Sequence, residues 1–329
     1  MGCRRSATRG FVLEAGRSPT VAQWLTHYVE AIAAPKLRPS TLARYRLVVR
    51  QLEPHLGHHR LARLQPEHVE AAYKAMLAGG GLAPASVLYA HRVLSRALKV
   101  AMQRGRVARN VCGLVDSPSV PRHEIRPLRA TEARAVLDAA EDGRNAARWS
   151  VALALGLRQG EALGLSWEDL DLDEGTLTVR RALQRQTGRG LVLVEPKSRA
   201  GHRTISLPEQ LITSLRAHRA EQAAERLRAG NVWEDHGLVF VQPTGKPIDP
   251  RADYGAWKQL LVDAGVRDAR LHDARHTAAT LLLSQGVPAR VAMEILGHSQ
   301  ISLTLGTYSH VVPELQRDAA EKVGRALWG

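Results

Sequence analysis

Two cysteines in 329 residues, Cys3 and Cys112, cannot build a disulfide framework, and neither stands in a CxxC or Cys/His spacing that would hold zinc. The chain therefore reads as a protein of the reducing cytoplasm. No N-terminal apolar run resembles a signal peptide, and no apolar stretch is long enough to span a bilayer, so no membrane role is expected; the run Val151–Leu157 is short and ends at Arg158. Internal repeats of solenoid length are absent. Carboxylates nowhere cluster with metal-ligand spacing, so positive charge for chemistry must come from side chains. Lysine is scarce. Only Lys36, Lys74, Lys99, Lys197, Lys246, Lys258 and Lys322 stand among 46 basic residues, and the rest are arginine.

What is present is basic and apolar together. The formal net charge is +14, which favours a polyanionic partner, nucleic acid being the commonest, although an arginine-heavy genome gives the same excess. A hydrophobic content of 44% is ample for real cores, and the length suits about two domains.

The pattern divides the chain. Residues 1–18 are a short, basic, unpatterned tail. Residues 19–116 read as all-helical. Thr20 and Gln23 have capping-box spacing ahead of the stripe Val21, Trp24, Leu25, Tyr28 and Ile32. Pro39-Ser40-Thr41 opens a second helix with Leu42, Tyr45, Val49 and Leu52 inside and Arg44, Arg46 and Arg50 outside. A third runs over Pro66–Leu77 to Gly79-Gly80-Gly81, and a fourth from Pro84 to about Met102 carries Arg92 and Arg96. Residues 117–127, with three prolines and no period, read as a linker.

Residues 128–329 form the second domain. Thr131 is read as an N-cap for a helix to about Ala140, followed by an apolar helix over about Ala146–Gly156. Strands are expected at Thr176–Arg180, Leu191–Val194 and Arg203–Leu207, with a shorter one at Leu238–Val241. Helices are expected from Pro208 to Leu227 and over about Arg251–Ala264, Ala274–Gln285, Pro288–Leu296 and Pro313–Leu327. The fold class is thus mainly α with a small antiparallel β-sheet.

Within the last sixty residues lie His272-Asp273-Ala274-Arg275, Leu296-Gly297-His298 and Tyr308. Guanidinium and imidazole groups donate to phosphate oxygens, and a phenol can become an oxygen nucleophile. His272 and Arg275 have helical i, i+3 spacing. His298 follows a plausible helix-ending glycine. Metal-free phosphodiester cleavage also needs a second strong cation and an acid for the leaving alkoxide. Arg158 follows an apolar helix, so packing would fix its position, and Glu161 three residues on could orient it. Lys197 lies on the expected hairpin Glu195–His202, and in an arginine-rich chain a kept lysine suits an acid, because an ammonium can lose a proton where a guanidinium cannot. Each of these side chains taken alone also fits a structural role: a packed Arg–Glu pair, a hydrogen-bonding histidine, an exposed turn lysine, a buried tyrosine.

Together, Gly156-Leu157-Arg158 with Glu161, Lys197 ahead of Arg203-Thr204-Ile205-Ser206, Leu271-His272-Asp273-Ala274-Arg275-His276-Thr277, Leu296-Gly297-His298 and Thr307-Tyr308 resemble the tyrosine recombinase, or phage integrase, family in order and spacing. The resemblance covers the second domain and extends more weakly over Ser40–Arg50 and His91–Asn110. It implies a helical, SAM-like core-binding domain followed by an α+β catalytic domain. Tyr308 would attack the scissile phosphate to give a covalent 3′-phosphotyrosyl enzyme. Arg158, Arg275 and His298 would hold the phosphate oxygens, Lys197 would protonate the leaving 5′-oxygen, and His272 would help take the Tyr308 proton or complete the oxygen shell. The resemblance implies no metal or cofactor, because the phosphotyrosine conserves the bond energy for rejoining. Glu161 would support Arg158, while Arg44, Arg46, Arg50, Arg92 and Arg96 are candidates for DNA contacts. The implied partners are double-stranded DNA with attachment-type sites, a homo-tetramer on paired sites, and an excisionase or DNA-bending protein, with integration or excision of a mobile element as the role. Val311, Val312, Leu315 and Val323 would let the terminal helix dock on a neighbouring protomer. Relatives that carry an arm-type DNA-binding domain have it where residues 1–18 are too short to form one. Two other readings stay open: a DNA-binding relative without catalysis, and a type IB topoisomerase-like enzyme that cleaves and reseals one strand.

Overall fold

The computed structural model describes residues 18–121, 125–196, 201–297, 320–321 and 323–328. The chain divides into two compact units, residues 1–123 and 124–329, within the proline-bearing stretch. Its last residues belong with the second unit: Arg267 donates to both Arg126 O and Pro127 O at 2.7 Å, and Leu128 N–H donates to Thr277 Oγ1 at 2.9 Å.

In the first unit, α1 (Val21–His27) starts at the expected capping box, with Gln23 N–H on Thr20 Oγ1 and Thr20 N–H on Gln23 Oε1. It widens into a π-helical stretch over Tyr28–Ala33. Proline at the first turn opens α2 (Pro39–Leu56), α3 (Pro66–Leu77) and α4 (Pro84–Gln103), where its missing N–H costs nothing. Gly79 takes a positive φ of 60° in the turn between α3 and α4, a conformation that β-carbons disfavour. Trp24, Leu52, Leu56, Leu94 and Leu98 meet in one core. The indole N–H of Trp24 is buried and donates to Ala97 O, so the largest side chain enters the core without an orphaned donor.

In the second unit, α5 (Ala130–Ala140) begins one residue before the expected cap. Its N-terminus is closed by Glu132, whose carboxylate accepts Arg129 N–H at 2.7 Å, and Thr131 already lies inside the helix. α6 (Ala146–Ser150) passes into a π-helical stretch over Val151–Leu155 and stops at Gly156, at φ 59°. There follow α7 (Gln159–Leu163), β1 (Leu170–Asp171), β2 (Thr176–Val179), β3 (Ala182–Gln186), β4 (Gly190–Val194) and β5 (Arg203–Ser206). The remaining described elements are α8 (Glu209–Ala229), α9 (Pro250–Asp263), α10 (Leu271–Ser284) and α11 (Ala289–Leu296). α10 starts before the expected Ala274 and so takes His272 into its first turn. Residues 320–321 and 323–328 are helical, while the start of the expected terminal helix, with Val311, Val312 and Leu315, lies outside the described residues.

The strands form two antiparallel sheets, β1-β2-β5 and β3-β4. β4 and β5 are therefore not partners, as a simple hairpin over Glu195–His202 would require. Instead β2 and β3 follow each other with only Arg180 and Arg181 between, and β5 pairs with the first half of this run and β4 with the second. Leu238–Val241 is no strand. Its ends make isolated bridges to Ser166 and Pro247, and its apolar signal reflects burial, with Leu238, Val239, Phe240 and Val241 all nearly inaccessible.

β3 lies against α7 because α7 carries no side chain at two crucial places. A β-carbon on Gly164 would come within 2.7 Å of Leu183 N and 2.9 Å of Ala182 Cα, and one on Gly160 within 2.8 Å of Leu183 O. Gly164 has an ordinary φ of −97°, so Gly164→Ala tests this approach cleanly. Reduced unfolded-state entropy alone would stabilise the alanine variant by about 0.4–1 kcal/mol. The backbone contact reverses the sign, and denaturation should show a loss of about 1–3 kcal/mol.

Candidate active site

Gly156 makes the turn that presents Arg158. Its positive φ suits glycine, and a β-carbon there would lie 2.7 Å from Leu296 Cδ2 and 3.0 Å from Ala278 Cβ. The end of α6 therefore sits directly on α10 and α11. Two residues later Arg158 is the N-cap of α7. Glu161 Oε2 accepts Arg158 N–H at 3.1 Å, and Oε1 accepts Arg158 Nη1 at 2.6 Å. The carboxylate thus caps the helix and aims the guanidinium at once. The Arg158 side chain is 42% exposed, against 6% for Glu161.

Glu161 has a second cation. Arg203, at the start of β5, donates from Nη2 to Glu161 Oε2 at 2.9 Å. Burial on its own would raise the Glu161 pKa. The hydrogen bond and charge of Arg203, then Arg158, outweigh burial and hold the carboxyl below its ordinary value.

The three arginines of this region share one target. Arg203 Nε donates to Ile295 O at 2.7 Å, Arg275 Nη2 to Leu296 O at 2.5 Å, and Arg158 Nη2 to Gly297 O at 3.0 Å. These are consecutive carbonyls at the C-terminal end of α11, where helical carbonyls lack partners and the helix dipole is negative. Gly297 closes the helix in the left-handed conformation, φ 66° and ψ 45°, immediately before His298. Arg275 is 2% exposed and also donates from Nη1 to Gly156 O at 2.8 Å, so it staples the ends of α6 and α11 to α10.

His272 lies at the exposed side of the first turn of α10. Desolvation by the surrounding protein, and then the charge of Arg275, lowers its pKa; Arg158 is near enough to contribute. Its ring meets His276 edge-on, with centroids 5.0 Å apart. His276 is half-buried, and desolvation, then His272, pushes it down to about 4.

The structure therefore brings Arg158, Glu161, His272 and Arg275 together at one end of α11. Lys197, His298 and Tyr308 lie outside the described residues. The flanks of the Lys197 segment approach closely: a β-carbon on Gly201 would lie 2.4 Å from Pro196 Cβ. Among the described residues no group of three His, Cys, Asp or Glu side chains is placed to hold a metal ion, and no helix is long and apolar enough to cross a membrane.

Sequence reasoning passed over two supports of the site. Arg203 was legible as part of the Arg203–Leu207 strand, but its inward role depends on a fold that sets β5 beside α7. The other is a buried network behind α7. Arg148 is fully buried and pairs with Asp253 at 2.9 Å, while Gln159 Nε2 donates to Asp253 Oδ2 at 2.9 Å and to Pro250 O at 2.7 Å. No local motif announces this network, because its members come from α6, α7 and α9.

In the first unit, Arg44, Arg46, Arg50, Arg92 and Arg96 are all exposed, as the helical pattern requires. Three are engaged within the unit, Arg96 through a side-chain hydrogen bond with Tyr28. The Arg44 guanidinium lies 3.9 Å from the centroid of the Tyr89 ring, and Arg46 makes a two-point ion pair with Glu30 at 2.7 and 2.8 Å. Glu30 offsets the Arg46 charge, which makes Arg46 a weaker candidate for a phosphate contact than Arg50 or Arg92.

The model of the Phage integrase family matches residues 126–314, and that of the phage integrase N-terminal SAM-like domain matches residues 20–77. The chain belongs to the phage integrase family. It is a tyrosine recombinase, an enzyme that breaks and rejoins DNA strands. An integrase of Saccharopolyspora erythraea is 40% identical over 99% of this chain and 86% of its own length. An integrase of Streptomyces ambofaciens is 35% identical, over 81% of this chain and 70% of its own. The fold is similar to that of the Tn1549 transposon integrase in complex with transposon right end DNA, with a TM-score of 0.76 at 22% identity, over 94% of this chain and all of that one.

The histidine pair gives this tyrosine recombinase an acid-sensitive element. His276 is held at about 4 when folded and has an ordinary value of 6.5, so between these limits the unfolded chain binds the extra proton and stability rises with pH. The penalty is absent above about pH 6.5 and grows as pH falls toward 4. Replacing His276 with Gln should flatten this part of the melting-temperature profile; an unchanged slope from pH 6.5 to 4 would contradict the assignment.

Proposed function

We propose that this tyrosine recombinase uses Tyr308 as the nucleophile in site-specific strand exchange, integrating or excising a mobile element. What carries the reading is the convergence of Arg158 and Arg275, from distant parts of the chain, on the carbonyls of Gly297 and Leu296 just ahead of His298. That arrangement puts two permanent cations and the approach to His298 in one place, beside His272. A guanidinium offers five N–H donors, so Arg158 can keep Glu161 and Gly297 while its exposed edge takes a phosphate oxygen.

The chemistry then runs as an in-line displacement. The Tyr308 oxygen attacks phosphorus, the bond to the 5′-oxygen breaks, and a 3′-phosphotyrosyl linkage holds the strand. His272, kept neutral near pH 7 by its surroundings, accepts the phenolic proton. Lys197 gives a proton to the departing 5′-oxygen. Arg158, Arg275 and His298 hold the charge that grows on the nonbridging oxygens. Attack by a 5′-hydroxyl of another strand reverses each transfer and frees Tyr308, so the linkage conserves the energy needed for rejoining.

DNA affinity would come from phosphate contacts by exposed arginines such as Arg50, Arg92 and Arg96, and would fall with salt. The integrase names of the relatives support a mobile-element role. An excisionase or DNA-bending protein would be its accessory partner. A lambda integrase chain of similar fold, TM-score 0.62, has been seen in a tetramer bound to a Holliday junction, which supports a tetramer on paired sites here.

The test uses a nicked suicide duplex carrying the sequence that the purified chain selects from a random pool. The native chain should form a covalent adduct, and Tyr308→Phe should bind equally well and form none. Arg158→Ala and Arg275→Ala should each slow adduct formation by about 10²–10³-fold. Binding without any adduct would make the chain a DNA-binding relative only. Resealing of one strand, without joining of two different duplexes, would make it topoisomerase-like.

A further inference from the structure

We infer that Arg203 is a positioning residue for strand cleavage, one that aims Arg158 by holding Glu161 and the end of α11. The inference rests on the phosphate-binding role proposed above for Arg158.

Arg203 is charged, adjacent to a phosphate-handling site, and yet turned inward. Its side chain is only 7% exposed, and its three nitrogens all donate within the protein. Its donors go to three separate segments: Nη2 to Glu161 in α7, Nε to Ile295 O in α11, and Nη1 to Gly201 O at 3.3 Å, at the end of the connection that carries Lys197. β5 fixes its place, because antiparallel register sets Arg203 opposite Val179 of β2. Two of its partners bear directly on Arg158. Glu161 Oε2 accepts both Arg203 and the Arg158 N–H, and Ile295 lies in the same helical turn as Gly297, whose carbonyl holds Arg158 Nη2.

Without Arg203, Glu161 loses one of its two cations and becomes freer to turn about its remaining bonds to Arg158. Ile295 O loses its side-chain donor in a part-buried setting. Both changes blur the aim of Arg158 without touching its charge, and a misplacement of about 1 Å at a reacting centre can cost about 10²-fold in rate. Lysine is not an equivalent replacement, since a compact ammonium cannot reproduce a planar fork that reaches three segments.

The experiment compares Arg203→Met and Arg203→Lys with Arg158→Ala in the full chain, by single-turnover adduct formation on the selected suicide duplex, with DNA affinity and melting temperature measured alongside. A second duplex carries a methylphosphonate at the scissile position, which removes the negative charge that Arg158 would hold. On the phosphodiester, Arg203→Met should be about 10²-fold slow and Arg203→Lys intermediate, both with near-native DNA affinity. On the methylphosphonate the deficits of Arg158→Ala and of both Arg203 variants should shrink together. Arg203→Lys keeps the buried charge and supplies the same comparison if the methionine variant melts below the assay temperature. A rescued Arg158→Ala beside unrescued Arg203 variants overturns the inference, as does a native rate for Arg203→Met on the phosphodiester. An Arg158→Ala that the methylphosphonate does not rescue overturns the phosphate role of Arg158 first, and the inference with it.

Discussion

The C-terminal turn of one short helix is the point on which the site depends. α11 ends with carbonyls that have no helical partner, and three guanidiniums from α7, α10 and β5 take Ile295, Leu296 and Gly297 in succession. A helix end left bare in a buried place would be costly. Here the same hydrogen bonds that satisfy it also fix where Arg158 and Arg275 stand. Fold closure and site assembly are thus one event, because Arg275 cannot bond Leu296 O and Gly156 O unless α6, α10 and α11 are already packed.

This arrangement asks the second unit to bury charge, which is expensive unless every group is matched. Glu161 answers with two arginines, and its carboxyl stays ionised despite burial. Arg148 and Asp253 form a buried two-point ion pair behind α7, with Gln159 joined to it and Arg148 Nη1 left without a hydrogen-bond partner. α7 is only five residues long and has little stability of its own. It is held from one side by the Arg148–Asp253–Gln159 network and from the other by Glu161 with Arg203. Glycines at 160 and 164 let β3 approach it in between. Such polar matching is weak evidence for net stability, but it leaves Arg158 few directions in which to point.

Much of this was legible from the residues. Thr20 and Gln23 announced the start of α1, and proline at the first turn announced α2, α3 and α4, because caps act locally. Arg158, Glu161, His272 and Arg275 were readable as a set suited to metal-free phosphate chemistry, and the structure brings the four together. Other features were not. β3 is Ala182–Gln186, with Leu183 as its only buried apolar side chain, so periodicity gave little signal; its pairing with β4 and its contact with α7 stabilise it. Leu238–Val241 failed in the opposite way, since burial without ladder pairing imitates a strand. Thr131 looked like a cap, but Glu132 reached back to Arg129 instead.

The sequence by itself determined what chemistry is available: which side chains carry charge, which can accept or give a proton, and where helices begin, all properties of residues and near neighbours. Only the tertiary structure decided which arginine does which work. Arg158 is exposed and oriented, Arg275 is buried and stapling, and Arg203 is buried and turned toward both Glu161 and α11. In the chain they are three similar guanidiniums. They differ because long-range packing sets each at a different depth around the same helix end and gives each different partners there.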